Sequence, residues 1–304
     1  MDKQYVDTVR LLLEIAPAIF QNPCFAIKGG TALNLFLHDM PRLSVDIDVV
    51  YTDHSKSRNK AISDIAETLK QAQDDIIKLG LQADLSTTQG AEESKLFVRR
   101  NQILVKVEVN HVFRGTVLSI QDISLSEKVS TAFTTELSIP SLVADELYAS
   151  KLVAALDRQH PRDFFDIRNL QQSGNIPSEL MDCFVSYIAG HNRPVHEVLF
   201  SNDRNIKSIY DSEFVGMTHE PISLDELLDT RVWIRESLIN LLTDDQKAFL
   251  ISLVKLEPNW NMMPYAHLQE LPAIKWKLQN LKKLKRNNPE KFKLQEEELQ
   301  RRFE

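Results

Sequence analysis

Residues 25–51, FAIKGGTALNLFLHDMPRLSVDIDVVY, decide how this chain folds. The stretch opens with Phe25-Ala26-Ile27, an apolar run long enough for a buried strand, and turns on Gly29-Gly30, where positive φ costs least. Thr31 begins a helical segment whose apolar residues are Leu33, Leu35, Phe36 and Leu37. A Gly-Gly-Thr turn feeding a helix N-terminus points backbone N–H groups outward and adds a hydroxyl, which is the equipment for holding a phosphate. The second half alternates, with Val45, Ile47 and Val49 on one face of a strand and Asp46 and Asp48 on the other.

Two carboxylates about 6.5–7 Å apart along one strand repel each other unless something positive lies between them. A divalent cation is the simplest candidate. Carboxylate oxygens suit Mg²⁺ or Mn²⁺, and Mg²⁺ keeps several waters and takes its other ligands from substrate phosphates. The bland alternative is a half-exposed strand whose polar face carries two aspartates. The phosphate-cradling turn about 16 residues earlier favours the cation, because strand, turn, helix and strand then form one compact unit.

Lys28-Gly29-Gly30-Thr31-Ala32-Leu33, followed by Arg42-x-Ser44-x-Asp46-Ile47-Asp48, resembles the AbiEii/AbiGii-type nucleotidyltransferase toxins, a branch of the DNA polymerase β-like superfamily. The resemblance implies an α+β fold, with a mixed sheet and its helices as the catalytic domain over residues 1–138 and an all-helical domain over 139–304. It implies that the turn (Lys28, Gly29, Gly30, Thr31), with Arg42 and Ser44, binds a nucleoside triphosphate, and that Asp46 and Asp48 bind the metal. The implied activity is transfer of a nucleoside monophosphate to an acceptor hydroxyl, with the tRNA 3′ end as the expected acceptor. Such toxins belong to toxin–antitoxin and abortive-infection (phage-defence) systems, so an antitoxin encoded by a neighbouring gene is expected. Two alternatives stay open: an enzyme that phosphorylates or nucleotidylates a protein hydroxyl such as the antitoxin's, and a non-catalytic nucleotide-binding regulator.

Further residues join through the same resemblance. Residues 103–111 alternate over their second half, so Val105, Val107 and Val109 face inward and Lys106, Glu108 and Asn110 face the other way. Polymerase β-like enzymes carry a third carboxylate on a neighbouring strand, and Glu108 stands where that resemblance would put it, completing a metal site or helping deprotonate the acceptor. Its alternative is an ion pair with Lys106 or Lys95. Lys151, inside a helix expected over 141–156, matches the family's phosphate-contacting lysine; otherwise it is a surface lysine with a buried stem. Arg158-Gln-His-Pro-Arg162-Asp163-Phe-Phe-Asp166 resembles the fourth motif, with Pro161 starting a helix and Asp163 the stronger site candidate. Asp163 and Asp166 can equally be N-terminal acids that complement the helix dipole.

With 304 residues, 43% of them hydrophobic, the chain can bury a large core, and its length favours two domains. Cys24 and Cys183 stand far apart without metal or disulfide spacing, which fits a reducing cytoplasm. No apolar run approaches the roughly 18 residues of a membrane span, and MDKQYVDTVR lacks the order of a signal peptide. The net charge of −7 argues against a general nucleic-acid coat. Within residues 275–293, however, eight Lys/Arg stand against the single acid Glu290. That run can follow an RNA backbone, or it can be a solvated helix face with Trp276, Leu278, Leu281 and Leu284 as its apolar stripe. Periodicity predicts helices over 3–20, 55–79, 178–189, 224–242 and 244–256, strands over 81–86, 95–99, 103–111 and 116–120, and a loop over 258–272.

Overall fold

The computed structural model of the chain describes residues 3–86 and 93–304. Contacts divide it into two compact units: Met1–Leu147 with Gly216–Glu220, and Tyr148–Val215 with Pro221–Glu304.

The first unit is built on a seven-stranded mixed sheet of β1 (Phe25–Lys28), β2 (Asp46–Tyr51), β3 (Gln82–Ser86), β4 (Glu93–Arg100), β5 (Ile103–Asn110), β6 (Gln121–Ser124) and β7 (Ser138–Ser141), in the order β3-β4-β5-β2-β1-β7-β6. β2 pairs antiparallel with β1 and parallel with β5. Alternation sets which face is buried: Ile47, Val49, Val105, Val107 and Val109 are fully buried, each contributing about 1.5–3 kcal/mol by leaving water. Helix α1 (Lys3–Ile19) packs on β5 and on α2 (Arg58–Lys78), and α2 packs on β3 and β4. A one-residue slip of β2 would turn its aspartates into this apolar layer, so the register is strongly specified.

Ser57 caps α2 by accepting from Lys60 N, and Gly80, at φ +81°, follows its end. α2 buries Ile65, Leu69 and Ile76 together with Ala61 and Ala72, whereas Ile77 is exposed. After the Gly-Gly turn the chain winds wider than an α-helix: Ala32–Leu37 is a π-helix, with His38 N donating to Leu33 O. Asn34 is the internal strut, since its Nδ2 donates to Gly30 O and its carbonyl accepts from Met40 N.

The strand expected over 116–120 does not form. Val117 N and Leu118 N donate instead to the fully buried Glu146 carboxylate, both at 2.9 Å, which satisfies them without a neighbouring strand. Ile139 and Pro140, at the start of the all-helical domain expected over 139–304, are strand residues of β7, and the short helix α3 (Glu127–Phe133) precedes them.

In the second unit the described residues form helices and irregular segments. α4 (Ala144–Arg158) carries the chain across the division; then come α5 (Pro161–Ser173), α6 (Ser178–Gly190), α7 (Val195–Leu199), α8 (Leu224–Leu241), α9 (Asp244–Val254), α10 (Pro272–Asn287) and α11 (Pro289–Phe303). α8 and α9 open with capping boxes, Ser223 with Glu226 and Thr243 with Gln246. The 258–272 loop contains two short 3₁₀ turns, Trp260–Met262 and Ala266–Glu270. α10 buries Leu281 but exposes Trp276, and it buries Lys277 in the tryptophan's stead.

Candidate active site

Strand register brings the expected carboxylates onto one face. Lys28 lies opposite Asp48, Asp48 opposite Glu108, and Glu108 opposite Lys95, a charged row across β1, β2, β5 and β4. In the next row Asp46 lies opposite Lys106. Glu108 is gripped by Lys95 at 3.0 Å and Lys106 at 3.3 Å, and Lys106 also reaches Asp46 at 3.7 Å. Burial alone would raise the Glu108 carboxyl pKa; the two ammonium groups outweigh it and hold the group below its ordinary range. Both lysine pairings weighed for Glu108 from sequence are therefore present.

Asp48 lies hard against the turn. Gly29 sits at φ +74°, and a Cβ there would run into the Asp48 carboxylate. At Gly30 a Cβ would come within 2.6 Å of Arg42 Nη2 and 3.2 Å of Ser44 Oγ. Gly29 is thus required by close approach and by its left-handed backbone, whereas a side chain at Gly30 would have to displace the Arg42 guanidinium. Thr31 is buried; its hydroxyl bonds Ser44 Oγ at 2.9 Å and donates to the Asp46 carbonyl, so in this structure it ties turn to strand. Arg42 is also buried, with Nη1 donating to Leu43 O at 2.7 Å.

The segment Gly216–Glu220, distant in sequence, fixes the stretch before β2. Leu43 N donates to Met217 O, His219 N donates to Pro41 O, and Arg42 bridges Thr218. Sequence reasoning did not find this clamp, because backbone pairing across some 175 residues leaves no periodic signal. It also assigned no site role to Lys95 and Lys106, although their alternate positions on β4 and β5 put them on the carboxylate face.

The donor chemistry suits a hard divalent cation. Asp46 and Asp48 offer oxygens on one face beside a glycine turn that leaves room for the carboxylate. No group of three His, Cys, Asp or Glu among the described residues is arranged to hold a metal. Two carboxylates, completed by water and substrate phosphate, are the ordinary protein contribution to a Mg²⁺ site.

Lys151 and Asp163 meet in the second unit. Lys151 Nζ lies 3.2 Å from Asp163 and 3.0 Å from Asp166, and Arg158 forks onto Asp163 through Nε at 2.5 Å and Nη2 at 2.7 Å. Lys151, Asp163 and Asp166 are buried, so Lys151 is not a surface lysine; Asp163 does lie in the first turn of α5, where an acid complements the helix dipole, and its charge is also met by Lys151 and Arg158. Burial would raise the Asp163 carboxyl pKa, but the Lys151 charge and the Arg158 fork hold it well below the carboxylate range. Arg162, adjacent to Asp163 in sequence, does not contribute to this pairing; Arg158 does. Of the basic run, Lys275, Lys282, Lys283, Lys285, Arg286, Lys291 and Lys293 are exposed, beside Trp276 at 45% exposure. Lys277 is withdrawn, its Nζ donating to Arg193 O.

The family model for the AbiEii toxin, a nucleotidyl transferase of type IV toxin–antitoxin systems, matches residues 10–280. The fold is similar to the solved structure of MenT4, a nucleotidyltransferase toxin from Mycobacterium tuberculosis H37Rv, with 17% identity, a TM-score of 0.59, and coverage of 92% of this chain and 95% of that one. Comparison with curated proteins finds no match.

Proposed function

Because the chain belongs to the AbiEii nucleotidyl transferase toxins of type IV toxin–antitoxin systems, we propose that it transfers a nucleoside monophosphate from an NTP to an acceptor hydroxyl at the β1–β2 turn. The observation that carries this reading is the contact between the Gly29 turn and Asp48, with Asp46 and Glu108 on the same face. Backbone N–H groups of the turn, with Lys28, would receive the triphosphate, while buried Arg42 and half-buried Ser44 brace the turn. Asp46 and Asp48 would hold Mg²⁺ or Mn²⁺, which when bound neutralises charge on the phosphates. The acceptor hydroxyl loses its proton to solvent as its oxygen bonds the α-phosphorus, the bond from the α-phosphorus to the bridging β-phosphate oxygen breaks, and pyrophosphate leaves. Glu108, kept ionised by its lysines, adds negative charge beside Asp48. Lys151 and Asp163 enter this reading as a paired unit that sets how α4 and α5 meet.

The acceptor we propose is RNA, with the tRNA 3′ end foremost. The exposed cations of α10 and α11 give phosphate contacts and Trp276 gives an exposed ring for a base. The partner is an antitoxin from a neighbouring gene, the setting is abortive phage defence, and the compartment is the cytoplasm; no described helix is long and apolar enough to cross a membrane. Incubating the protein and Mg²⁺ with total RNA and each NTP, labelled at the α- or the γ-phosphate, tests the proposal. α-Label on RNA is the expected result. γ-Label on a protein would move the reaction to the kinase alternative, and no label anywhere would leave only nucleotide binding.

A further inference from the structure

Arg114 is a buried charge that the site above does not use. After β5, the Asn110 side-chain oxygen accepts from Val112 N and Phe113 N, both at 2.8 Å, and Gly115 N donates to the Tyr51 carbonyl at 2.7 Å. This short loop holds Arg114 beside the C-terminal end of β2. Arg114 is only 5% exposed, and its Nε and Nη1 are buried with no hydrogen-bond partner among the described residues. Burial disfavours its charge, the Arg58 guanidinium repels it, and only the Tyr51 phenol acts in the other direction; no carboxylate contributes.

Arg58 is the first residue of α2. Its neighbours are already paired, Lys56 with Asp53 at 3.9 Å and Lys60 with Asp64 at 2.7 Å, whereas Arg58 is exposed and has no ion pair among the described residues. The Tyr51 hydroxyl donates to Asp64 Oδ2 at 2.9 Å, tying the end of β2 to the second turn of α2. The Arg114 loop, Tyr51 and the start of α2 therefore form one connected place, where the first-turn N–H groups add positive potential. Arg114, buried with open donors, near a second like charge and with no carboxylate to offset it, is a group that an anion would satisfy. A phosphate oxygen pair matches the planar donor fork.

We propose that Arg114, Arg58 and the first turn of α2 form a phosphate-binding subsite at the C-terminal end of β2, distinct from the Asp46/Asp48 site. Asp48 precedes Tyr51 by three residues, about 10 Å along the strand. The ligand is a phosphate group, either free or carried by a nucleic-acid backbone.

Thermal unfolding of the full chain in inorganic phosphate, against chloride at matched ionic strength, tests this. The expected result is a saturable rise of the midpoint in phosphate. Arg114→Met should lower phosphate affinity at least about tenfold and, without phosphate, should melt no lower than the parent, because an unpaired buried charge has gone. Arg58→Gln, a surface change that leaves the fold alone, should weaken phosphate several-fold, and it decides the matter if Arg114→Met does not fold. Asp48→Ala should keep the Arg114-dependent rise, which separates this subsite from the nucleotide site. Competition by a single-stranded oligoribonucleotide assigns the phosphate to a nucleic-acid backbone, and its failure assigns a free phosphate. A midpoint that responds to phosphate no more than to chloride, or variants that respond as the parent does, would overturn the proposal.

Discussion

The open face of β2 and β5 and the junction of α4 with α5 are built from the same kinds of charged residue and reach opposite states. On the sheet, Asp46, Glu108, Lys95 and Lys106 are half-exposed, their ion pairs reach 3.0 to 3.7 Å, and Asp48 is pressed against a glycine turn. Between the helices, Lys151, Asp163 and Asp166 are sealed from water, with Lys151 shared by both carboxylates and Asp163 forked by Arg158. Half-exposed pairs in high dielectric are worth little and exchange partners readily, which suits a site that must admit a phosphate and a cation. A sealed pair is costly to break because the remaining charge is stranded. Identical residue types thus give a place for chemistry in one region and a fixed joint in the other, and burial is the variable that separates them.

The largest expected effect lies at the joint. Lys151→Ala removes the charge shared by two buried carboxylates, leaving Arg158 to hold Asp163, and should cost about 3–5 kcal/mol, measured by denaturant unfolding. Replacing Lys106, the sheet's counterpart, by Ala should change stability by less than about 1 kcal/mol, and equal losses at the two positions would erase the contrast. The joint also has a pH signature. Asp163 is held below its ordinary value of 3.8, so its contribution is complete above that value and is lost as pH falls beneath it.

Next in size is Gly29→Ala. A left-handed backbone strained by a side chain costs about 1–3 kcal/mol, and the added methyl would also displace Asp48. Transfer should fall by about 10²-fold, the scale on which misplacing a reacting group by an ångström acts. Gly80→Ala, at φ +81° with nothing near its Cβ, shares the strain without the collision and should leave transfer intact.

A smaller effect sharpens the role of partners. Lys277 is as buried as Lys151 but among the described residues bonds only a carbonyl, and burial pushes its pKa down to about 8, opposed by Glu197. Between pH 8 and its unfolded value of 10.5 the unfolded chain binds the extra proton, so stability rises with pH across that window by up to about 1.4 kcal/mol per unit. Lys277→Met should remove this slope. A parent protein with no such slope would place Lys277 in water.

How much of this was legible in sequence follows from the range of each signal. Alternation in 45–49 and 105–109 and the glycines at 29 and 30 carry β2, β5 and the turn, because period and backbone freedom are local properties. The resemblance of the Arg42–Asp48 and Arg158–Asp166 stretches named the family, but it did not give the pairing of Asp163 with Lys151 and Arg158. What escaped depends on distant partners. Glu146 takes the backbone donors of Val117 and Leu118 that would have built a strand, and Met217 clamps Leu43 from far along the chain. On α10 the periodic stripe placed Trp276 inside, yet the Arg193 carbonyl draws Lys277 in and leaves the ring in solvent. Nothing within a helical repeat encodes an acceptor 84 residues away.

The most direct test is transfer of α-labelled NTP by Asp48→Asn, with its unfolding free energy measured on the same preparation. The account predicts transfer reduced by at least about 10²-fold, the scale of removing one electrostatic stabiliser, with stability within about 0.5 kcal/mol of the parent. Parental transfer by the folded variant would contradict it.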